Sequence, residues 1–252
     1  MKKYMKTALM AAICALPLLL SGCYSHKAIG LMQDRKNLPQ YEKADYEHYR
    51  LAVNDEIVYR LITMDETISK SMVSSSNSVT DMASYRIYSD GTVDLPFLQP
   101  IHLAGLTLPE AQDTLQYYFR EIIPDADVKV ALYNRTFTVL GDIGSGTYQI
   151  YKDKLTIFQA LAMSGDVSTQ GDRKHVRIIR PHGDAEPEIL EFDLRTNSIV
   201  DSKYYYVYPN DVIYVSRSKG SFYKVGNYSS FIGLITSSLS LLISVLNLTT
   251  NY

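Results

Sequence analysis

The sequence predicts a mixed α+β fold with two units, each built from strands and one helix, followed by a separate C-terminal helix. Its 252 residues are 46% apolar and 21% charged, proportions typical of folded globular proteins. Short runs rich in valine, isoleucine and tyrosine, separated by turn residues, fill residues 49–217. Two helical patterns interrupt these runs, and many strands with few helices favour the α+β class.

The chain begins with a predicted secretion signal at residues 1–22. Three lysines precede an apolar stretch at residues 8–20, which is too short for a stable membrane span. Ser21 and Gly22 stand directly before Cys23, which resembles the lipobox of bacterial lipoproteins. That resemblance implies cleavage before Cys23 and an acyl lipid, such as palmitate, on its thiol. An ordinary secretion signal with a chance cysteine is the alternative.

Loss of this signal changes what the composition implies. The mature chain keeps 22 basic and 27 acidic residues, a net charge of −5, which gives no support to a nucleic-acid binder. Cys14 leaves with the signal, so no thiol remains for a disulfide, a metal site or a nucleophile once Cys23 is acylated. No aspartate follows Cys23, and by analogy with bacterial lipoproteins we expect the outer membrane.

Residues 23–48 are polar and aperiodic, and they are predicted to form a tether. The first unit, residues 49–133, begins with strand-like runs at 56–62 and 84–88, and a serine-rich loop is expected at 69–78. A hairpin turn is predicted at Asp90-Gly91, before a strand at residues 93–95.

One amphipathic helix is predicted inside the first unit. Thr107, Pro109 and Glu110 form a capping signature at its start. Apolar residues then recur at helical spacing as far as Ile122, and Pro124 ends the helix. Residues 127–133 follow with the alternation of a strand.

The second unit, residues 134–217, is predicted to be rich in strands around a short helix at residues 157–164. Thr156 starts this helix and Gly165 terminates it. The predicted strands are 136–140, 147–151, 175–180, 188–193, 204–208 and 212–215.

The two units share a short motif. Asn54-Asp55 precedes an apolar run in the first unit, and Asn210-Asp211 precedes one in the second. A strand-helix-strand plan used twice explains this repetition, and a chance likeness between strand-rich segments explains it equally well.

The C-terminal segment, residues 218–252, is predicted to contain an amphipathic transmembrane helix. No charged side chain follows Lys224, and residues 231–250 would extend about 30 Å as a helix, the thickness of a bilayer core. An amphipathic helix docked on the protein's own core is the alternative. Small and polar residues recur along one face, as expected for pore lining or helix contact: Ser230, Gly233, Ser237, Ser240, Ser244, Asn247 and Asn251.

Several series of residues carry a family resemblance. The sequence Asp-Gly-Thr-Val-Asp-Leu-Pro at 90–96 and Ala-Gly-Leu-Thr at 104–107 resemble the export domain of polysaccharide biosynthesis and export lipoproteins of the Wza type. Residues 139–143, 155–166 and 210–215 are similar to the β-grasp module called SLBB, which follows that domain in the family. The resemblance therefore implies an export domain at residues 49–133 and one SLBB-like domain at residues 134–217.

The chain departs from the family pattern in two respects. Asn54 and Asn210 occupy positions where a glycine usually precedes the aspartate, although asparagine also tolerates positive φ. In addition, one SLBB-like module is present where the best-known members have two, which implies a shorter periplasmic body.

The resemblance implies an outer-membrane lipoprotein whose main body lies in the periplasm. Several copies would form a ring-shaped homo-oligomer, a porin-like channel that transports capsular or extracellular polysaccharide. An inner-membrane polysaccharide copolymerase or tyrosine kinase would dock beneath this ring. Such a protein acts by pore formation and not by catalysis. The alternative is a monomeric envelope lipoprotein that binds a soluble glycan through its SLBB-like domain.

The sequence offers no pattern of catalytic or metal-binding residues. Its five histidines lack ligand spacing, and its glycines at 141, 144 and 146 do not form a dinucleotide fingerprint. We therefore predict no enzyme, no metal site and no cofactor apart from the covalent lipid on Cys23. The 21 tyrosines are predicted to form strands and subunit contacts, with stacking on sugar rings as the alternative.

Overall fold

The computed structural model describes residues 30–64, 83–182, 185–219 and 228–250. The secretion signal, Cys23, the serine-rich loop at 69–78 and Asn251 lie outside these residues. Within them the chain is a mixed α/β protein with several sheets and few helices, which confirms the predicted class in its general form.

The first unit contains a three-stranded antiparallel sheet, a hairpin and one helix. The sheet has the spatial order β2, β1, β5, and β3 pairs with β4 in the separate hairpin. The elements are β1 (Glu56–Ile62), β2 (Tyr85–Arg86), β3 (Thr92–Val93), β4 (Ile101–His102), α1 (Leu108–Ile122) and β5 (Asp127–Leu132).

The predicted Asp90-Gly91 turn forms, but it leads into a different pairing from the one expected. The N–H of Gly91 donates to the carbonyl of Tyr88 at 2.9 Å, and Gly91 has a φ of +79°. After this turn, β3 pairs with β4, a strand that the sequence pattern did not predict. Two residues in each strand are too few to produce a visible alternation of apolar and polar side chains.

Helix α1 begins and ends where the sequence predicts. The Thr107 backbone N–H donates to the Glu110 carboxylate at 2.8 Å, and the Glu110 N–H donates back to the Thr107 hydroxyl at 3.4 Å. This reciprocal capping satisfies two backbone donors that would otherwise lack partners at the start of a helix. The helix buries Ala111, Leu115 and Phe119 in the core of the first unit.

The second unit is built on a five-stranded mixed sheet with the spatial order β10, β9, β12, β6, β7. In this sheet β12 and β6 run parallel, while the other neighbours are antiparallel. A separate pair joins β11 to β8. The elements are β6 (Thr136–Gly141), β7 (Gly146–Gln149), β8 (Leu155–Thr156), α2 (Ile157–Met163), β9 (Gly171–His182), β10 (Ala185–Phe192), β11 (Tyr206–Val207) and β12 (Val212–Arg217).

Each unit encloses its own hydrophobic cluster. Phe119 and Leu115 are fully buried in the first unit, and Phe137 and Phe192 are buried in the second. Helix α2 adds Ile157 to the second cluster through its buried face. Burial of large apolar side chains is the main stabilising contribution in folding, so each unit has its own source of stability.

The N-terminal segment, residues 30–48, runs along the second unit and is not the free tether that its composition predicts. The N–H of Gln33 donates to the carbonyl of Arg195 at 2.6 Å. The phenol of Tyr41 accepts a hydrogen bond from the N–H of Asp193 at 2.8 Å, and its ring packs against the core of the second unit. These contacts join residues far apart in sequence, so composition alone could not reveal them.

The five-stranded sheet has two ends with different neighbours. At one end the N–H of Asn210 donates to the carbonyl of Thr136 at 2.8 Å, and the Asn210 side chain reaches Asp55 of the first unit at 3.2 Å. At the opposite end Arg217 of β12 lies beside Gly171 of β9. We call these the junction end and the distal end of the second unit.

A third helix, α3 (Tyr228–Thr250), occupies the C-terminal segment as predicted. Among the described residues, however, no helix has both the length and the apolar character needed to cross a membrane. The predicted transmembrane property of residues 218–252 is therefore not supported. Its apolar runs are interrupted by serine, threonine and asparagine, which lower the mean hydropathy.

Candidate functional site at the junction of the two units

The two Asn-Asp turns that the sequence repeats meet in the structure at the junction end. The Asn210 side-chain amide donates to the Asp55 carboxylate at 3.2 Å and to the Tyr49 phenol oxygen at 3.3 Å. The Tyr49 phenol in turn donates to Asp55 at 2.8 Å. The sequence showed both turns, but it contained no signal that they would be neighbours.

Both turns use asparagine where the backbone has positive φ. Asn54 has a φ of +70° and Asn210 a φ of +66°, as expected for residues that replace glycine at a turn. In the first turn the Ala52 N–H donates to the Asp55 carboxylate at 2.8 Å. This bond holds the aspartate side chain inward, under its own turn.

Burial controls the ionisation of the junction residues. Asp55 is 1% exposed, and burial raises the pKa of its carboxyl, while hydrogen bonds from Ala52, Tyr49 and Asn210 oppose the rise. Burial also raises the pKa of the Tyr49 phenol, and the neighbouring Asp55 carboxylate raises it further. Tyr49 therefore stays protonated and acts as a donor to Asp55.

The second turn holds a buried ion pair. Arg180 of β9 donates to both carboxylate oxygens of Asp211, at 3.0 and 2.9 Å, and the N–H of Tyr208 donates to the same carboxylate at 2.8 Å. Asp211 is fully buried, and burial raises the pKa of its carboxyl, against the opposing effect of Arg180. A bidentate pair of this kind orients the turn as well as neutralising the charge.

Tyrosines surround this ion pair. The ring of Tyr46 lies 5.7 Å from that of Tyr208 and 5.0 Å from that of Tyr206, between ring centroids. Lys154 places its ammonium 4.8 Å from the Tyr46 ring, and Arg180 lies 4.3 Å from the Tyr208 ring. Burial raises the pKa of Tyr208 to about 12. These rings pack on protein groups, which favours the structural interpretation of this tyrosine cluster over sugar stacking.

The polar stripe predicted on α3 is exposed where the structure describes it. Five residues of the stripe are described, and all of them are exposed: Gly233, Ser237, Ser240, Ser244 and Asn247. The side chain of Ser230 is not described, and Cys23 and Asn251 lie outside the described residues. Thus the predicted site residues of α3 stay on one helix, and the structure does not bring them to the junction.

Hydroxyl groups of α3 bond to their own helix. Ser244 donates to the carbonyl of Ser240 at 3.0 Å, and Ser238 donates to that of Ile235 at 2.9 Å. Such bonds satisfy serine without water or a partner side chain. Within the stripe, the Ser244 hydroxyl therefore has its partner inside the helix and needs no polar group from outside.

The two histidines of β9 each contact a different protein group. His175 contacts Asp172 at 2.8 Å, and His182 contacts the carbonyl of Arg180 at 3.2 Å. Within the described ranges, no three His, Cys, Asp or Glu side chains are grouped so that they could hold a metal ion. At the junction, the polar side chains of Tyr49, Asp55 and Asn210 bond to one another, which suits this arrangement to holding the units together.

Comparison with known protein families identifies the first unit. Residues 43–133 match the family model described as polysaccharide biosynthesis/export protein. This match confirms the family resemblance predicted from the sequence, and it supports a role in polysaccharide export. The matched family is one of export proteins and not of enzymes.

Proposed function

We propose that this chain of the polysaccharide export family is an envelope lipoprotein whose copies assemble into a conduit for capsular or extracellular polysaccharide. In this proposal Cys23 carries the lipid in the outer membrane, the body lies in the periplasm and an inner-membrane copolymerase delivers the polymer. No catalytic step is involved. The observation that carries the proposal is that both terminal segments leave the body at its distal end.

The N-terminal segment reaches the distal end through Gln33. Gln33 bonds to Arg195, which directly follows Leu194. The N–H of Leu194 donates to the carbonyl of Arg173 at 2.9 Å, and Arg173 is two residues from Gly171 at the distal end. Cys23 and Gly30 are seven positions apart, a reach of at most about 25 Å. A lipid on Cys23 would therefore hold the distal end near the membrane surface.

The C-terminal segment leaves from the same end. Strand β12 finishes at Arg217, and the N–H of Ser218 donates to the carbonyl of Gln170 at 2.8 Å, directly before β9. Helix α3 follows within ten residues. In this proposal an acylated N-terminus and a helix with exposed apolar side chains lie at one end, and two such membrane-seeking signals anchor a protein far better than one.

The first unit occupies the opposite end of the body. It adjoins the second unit at Asn210, about seven strand residues, or roughly 23 Å, from the distal end. The proposal accordingly directs the domain at residues 43–133 away from the outer membrane. In that position it could receive polymer from a partner in the inner membrane.

The exposed surface of α3 supports assembly of several copies. Ile235, Leu239, Leu241 and Val245 are each between 43% and 65% exposed, on more than one side of the helix. Exposure of contiguous large apolar side chains is unfavourable in water, and it marks an interaction surface. Small residues allow helices to approach closely, so packing against copies of itself is the function that we assign to the polar stripe of this helix.

Native mass spectrometry of detergent-extracted protein tests the proposal. We expect the full chain to form a closed oligomer, and a variant without residues 228–252 to be monomeric with an unchanged circular dichroism spectrum of the body. Cells that carry this deletion should lose polysaccharide export. A Cys23→Ala variant serves as the control for lipidation, since it should lose anchoring while the helix remains.

Two outcomes would contradict the proposal. One is a full chain that stays strictly monomeric with its envelope partner present. The other is a deletion variant that still exports polysaccharide, which would favour a monomeric glycan binder.

A further inference from the structure

The two Asn-Asp turns have the same local geometry, but their asparagines contact different parts of the protein. In each turn the aspartate accepts a hydrogen bond at 2.8 Å from the backbone N–H three residues earlier. Asn54 contacts the linker between the units through its backbone carbonyl, which accepts from the Asn134 amide at 3.2 Å. Asn210 instead extends its side-chain amide across the junction to Asp55 and Tyr49.

We propose that Asn210 is a latch, whose side-chain amide holds the first unit against the second so that the two units move as one body. Asn210 acts as a positioning residue, since it contacts only groups of the protein at this site. The inference rests on the junction geometry and does not depend on polysaccharide export.

The acceptor of the latch is a buried carboxylate. One oxygen of Asp55 accepts from the Ala52 N–H and the Tyr49 phenol, both at 2.8 Å, and the other accepts from Asn210 at 3.2 Å. Hydrogen bonds to charged groups are stronger than those between neutral groups. Removal of the Asn210 amide would leave an oxygen of a 1% exposed side chain without this donor.

The latch also closes a loop of contacts around the linker. The Glu56 N–H donates to the Asn134 side chain at 3.0 Å, which fastens the start of the linker to the first unit. The Asn210 N–H donates to the Thr136 carbonyl at 2.8 Å, which fastens its end to the second unit. With the Asn210 amide bound to Asp55, residues 134–136 are held from both sides.

Two glycine substitutions form a matched pair for testing the latch. Glycine accepts the positive φ at both turns, so Asn210→Gly and Asn54→Gly preserve the backbone conformation. Asn210→Gly removes the amide that crosses the junction, whereas Asn54→Gly keeps the backbone carbonyl that contacts Asn134. In the full chain, we expect hydrogen exchange at residues 49–57 to be about tenfold faster in Asn210→Gly and unchanged in Asn54→Gly.

An Asn210→Asp variant supplies an independent arm if the glycine variant fails to fold. It keeps a residue that tolerates positive φ but replaces the donor with a second carboxylate opposite Asp55, so exchange at residues 49–57 should be faster than in the wild type at neutral pH. Limited trypsin cleavage after Arg135, in the linker, should accelerate in parallel. Exchange and cleavage rates equal to those of the wild type, or equally raised in Asn54→Gly, would overturn the latch.

Discussion

At the scale of single residues, backbone conformation selects residues that tolerate positive φ. Asn54 and Asn210 adopt φ near +70° in turns where the family resemblance leads one to expect glycine. Asparagine is among the few residues besides glycine that adopt this conformation readily, because its short polar side chain bonds locally. At Asn210 the side chain also gains a contact that glycine could not make, which is the basis of the proposed latch.

Gly141 occupies a position where a side chain has no room. Its φ is +105°, and an added Cβ would lie 2.0 Å from the carbonyl oxygen of Val215 on the parallel strand β12. Gly105 has a φ of +82° but open space around its Cα. Substitution of Gly105 therefore introduces backbone strain alone, whereas substitution of Gly141 introduces both strain and a steric clash.

We predict that Gly141→Ala lowers the free energy of unfolding by about 3 kcal/mol or more, because strain and clash combine. Gly105→Ala should cost only about 1 to 2 kcal/mol, since strain acts alone. Urea unfolding of both variants measures the difference. Equal losses would mean that β6 and β12 separate easily enough to accept a methyl group.

At the scale of elements, helix boundaries were the most predictable feature. Thr107 with Glu110, and Thr156 with Gln159, form the reciprocal caps of α1 and α2. The residues of such a cap are three positions apart, so a local pattern contains all the information. Strands β4 and β8 were not predicted, because each has only two residues and is defined by its hydrogen bonds to a partner strand.

Helix α3 shows how an element can be predicted correctly while its environment is not. Its bounds lie within the predicted segment, and the hydroxyls of Ser238 and Ser244 bond to backbone carbonyls of the same helix. Periodicity predicted the polar face, but it did not establish that the helix crosses a membrane.

We predict that Ser240→Leu with Ser244→Leu lowers the oligomeric fraction of the full chain more than Ile235→Ala with Val245→Ala. Larger side chains on the stripe would separate helix backbones that small residues allow to approach closely. In the control pair Ile235 lies opposite the stripe and Val245 lies on its flank, and the two side chains are 43% and 47% exposed. Analytical ultracentrifugation in detergent compares the variants, and equal effects would contradict the assigned faces.

At the scale of the whole molecule, the two ends of the second unit have different neighbours. The junction end contacts the first unit through Asn210, and the distal end receives Gln33 and releases the chain after Ser218. This polarity underlies the proposed orientation, with the distal end at the membrane and the first unit away from it. It results from the parallel pairing of β6 and β12, because β6 begins at the junction end and β12 finishes at the distal end.

We predict that a fluorophore on Asn197→Cys is quenched by quencher lipids in vesicles carrying the lipidated protein. Asn197 is exposed and lies close to the distal end, since its N–H donates to the carbonyl of Gln33 at 3.2 Å. The same fluorophore on Glu121→Cys, an exposed residue of α1 in the first unit, should be quenched much less. Quenching that was equal at both positions, or stronger at Glu121, would contradict the proposed orientation.

Several features depend only on residues close together in the chain, and these could be predicted from the sequence. These are the mixed α/β class, the caps of α1 and α2, the turns at Asn54 and Asn210, and the resemblance confirmed by the match at residues 43–133. A few neighbouring side chains and backbone angles suffice for each of them.

Which of these features come into contact depends on the folded chain. Folding brought Asn210 to Asp55 across 155 positions, packed Tyr41 against Asp193 across 152, and led both terminal segments to one end of a sheet. Such contacts form because distant side chains share one buried environment, and the free energy of that burial is a property of the folded chain and not of any local pattern.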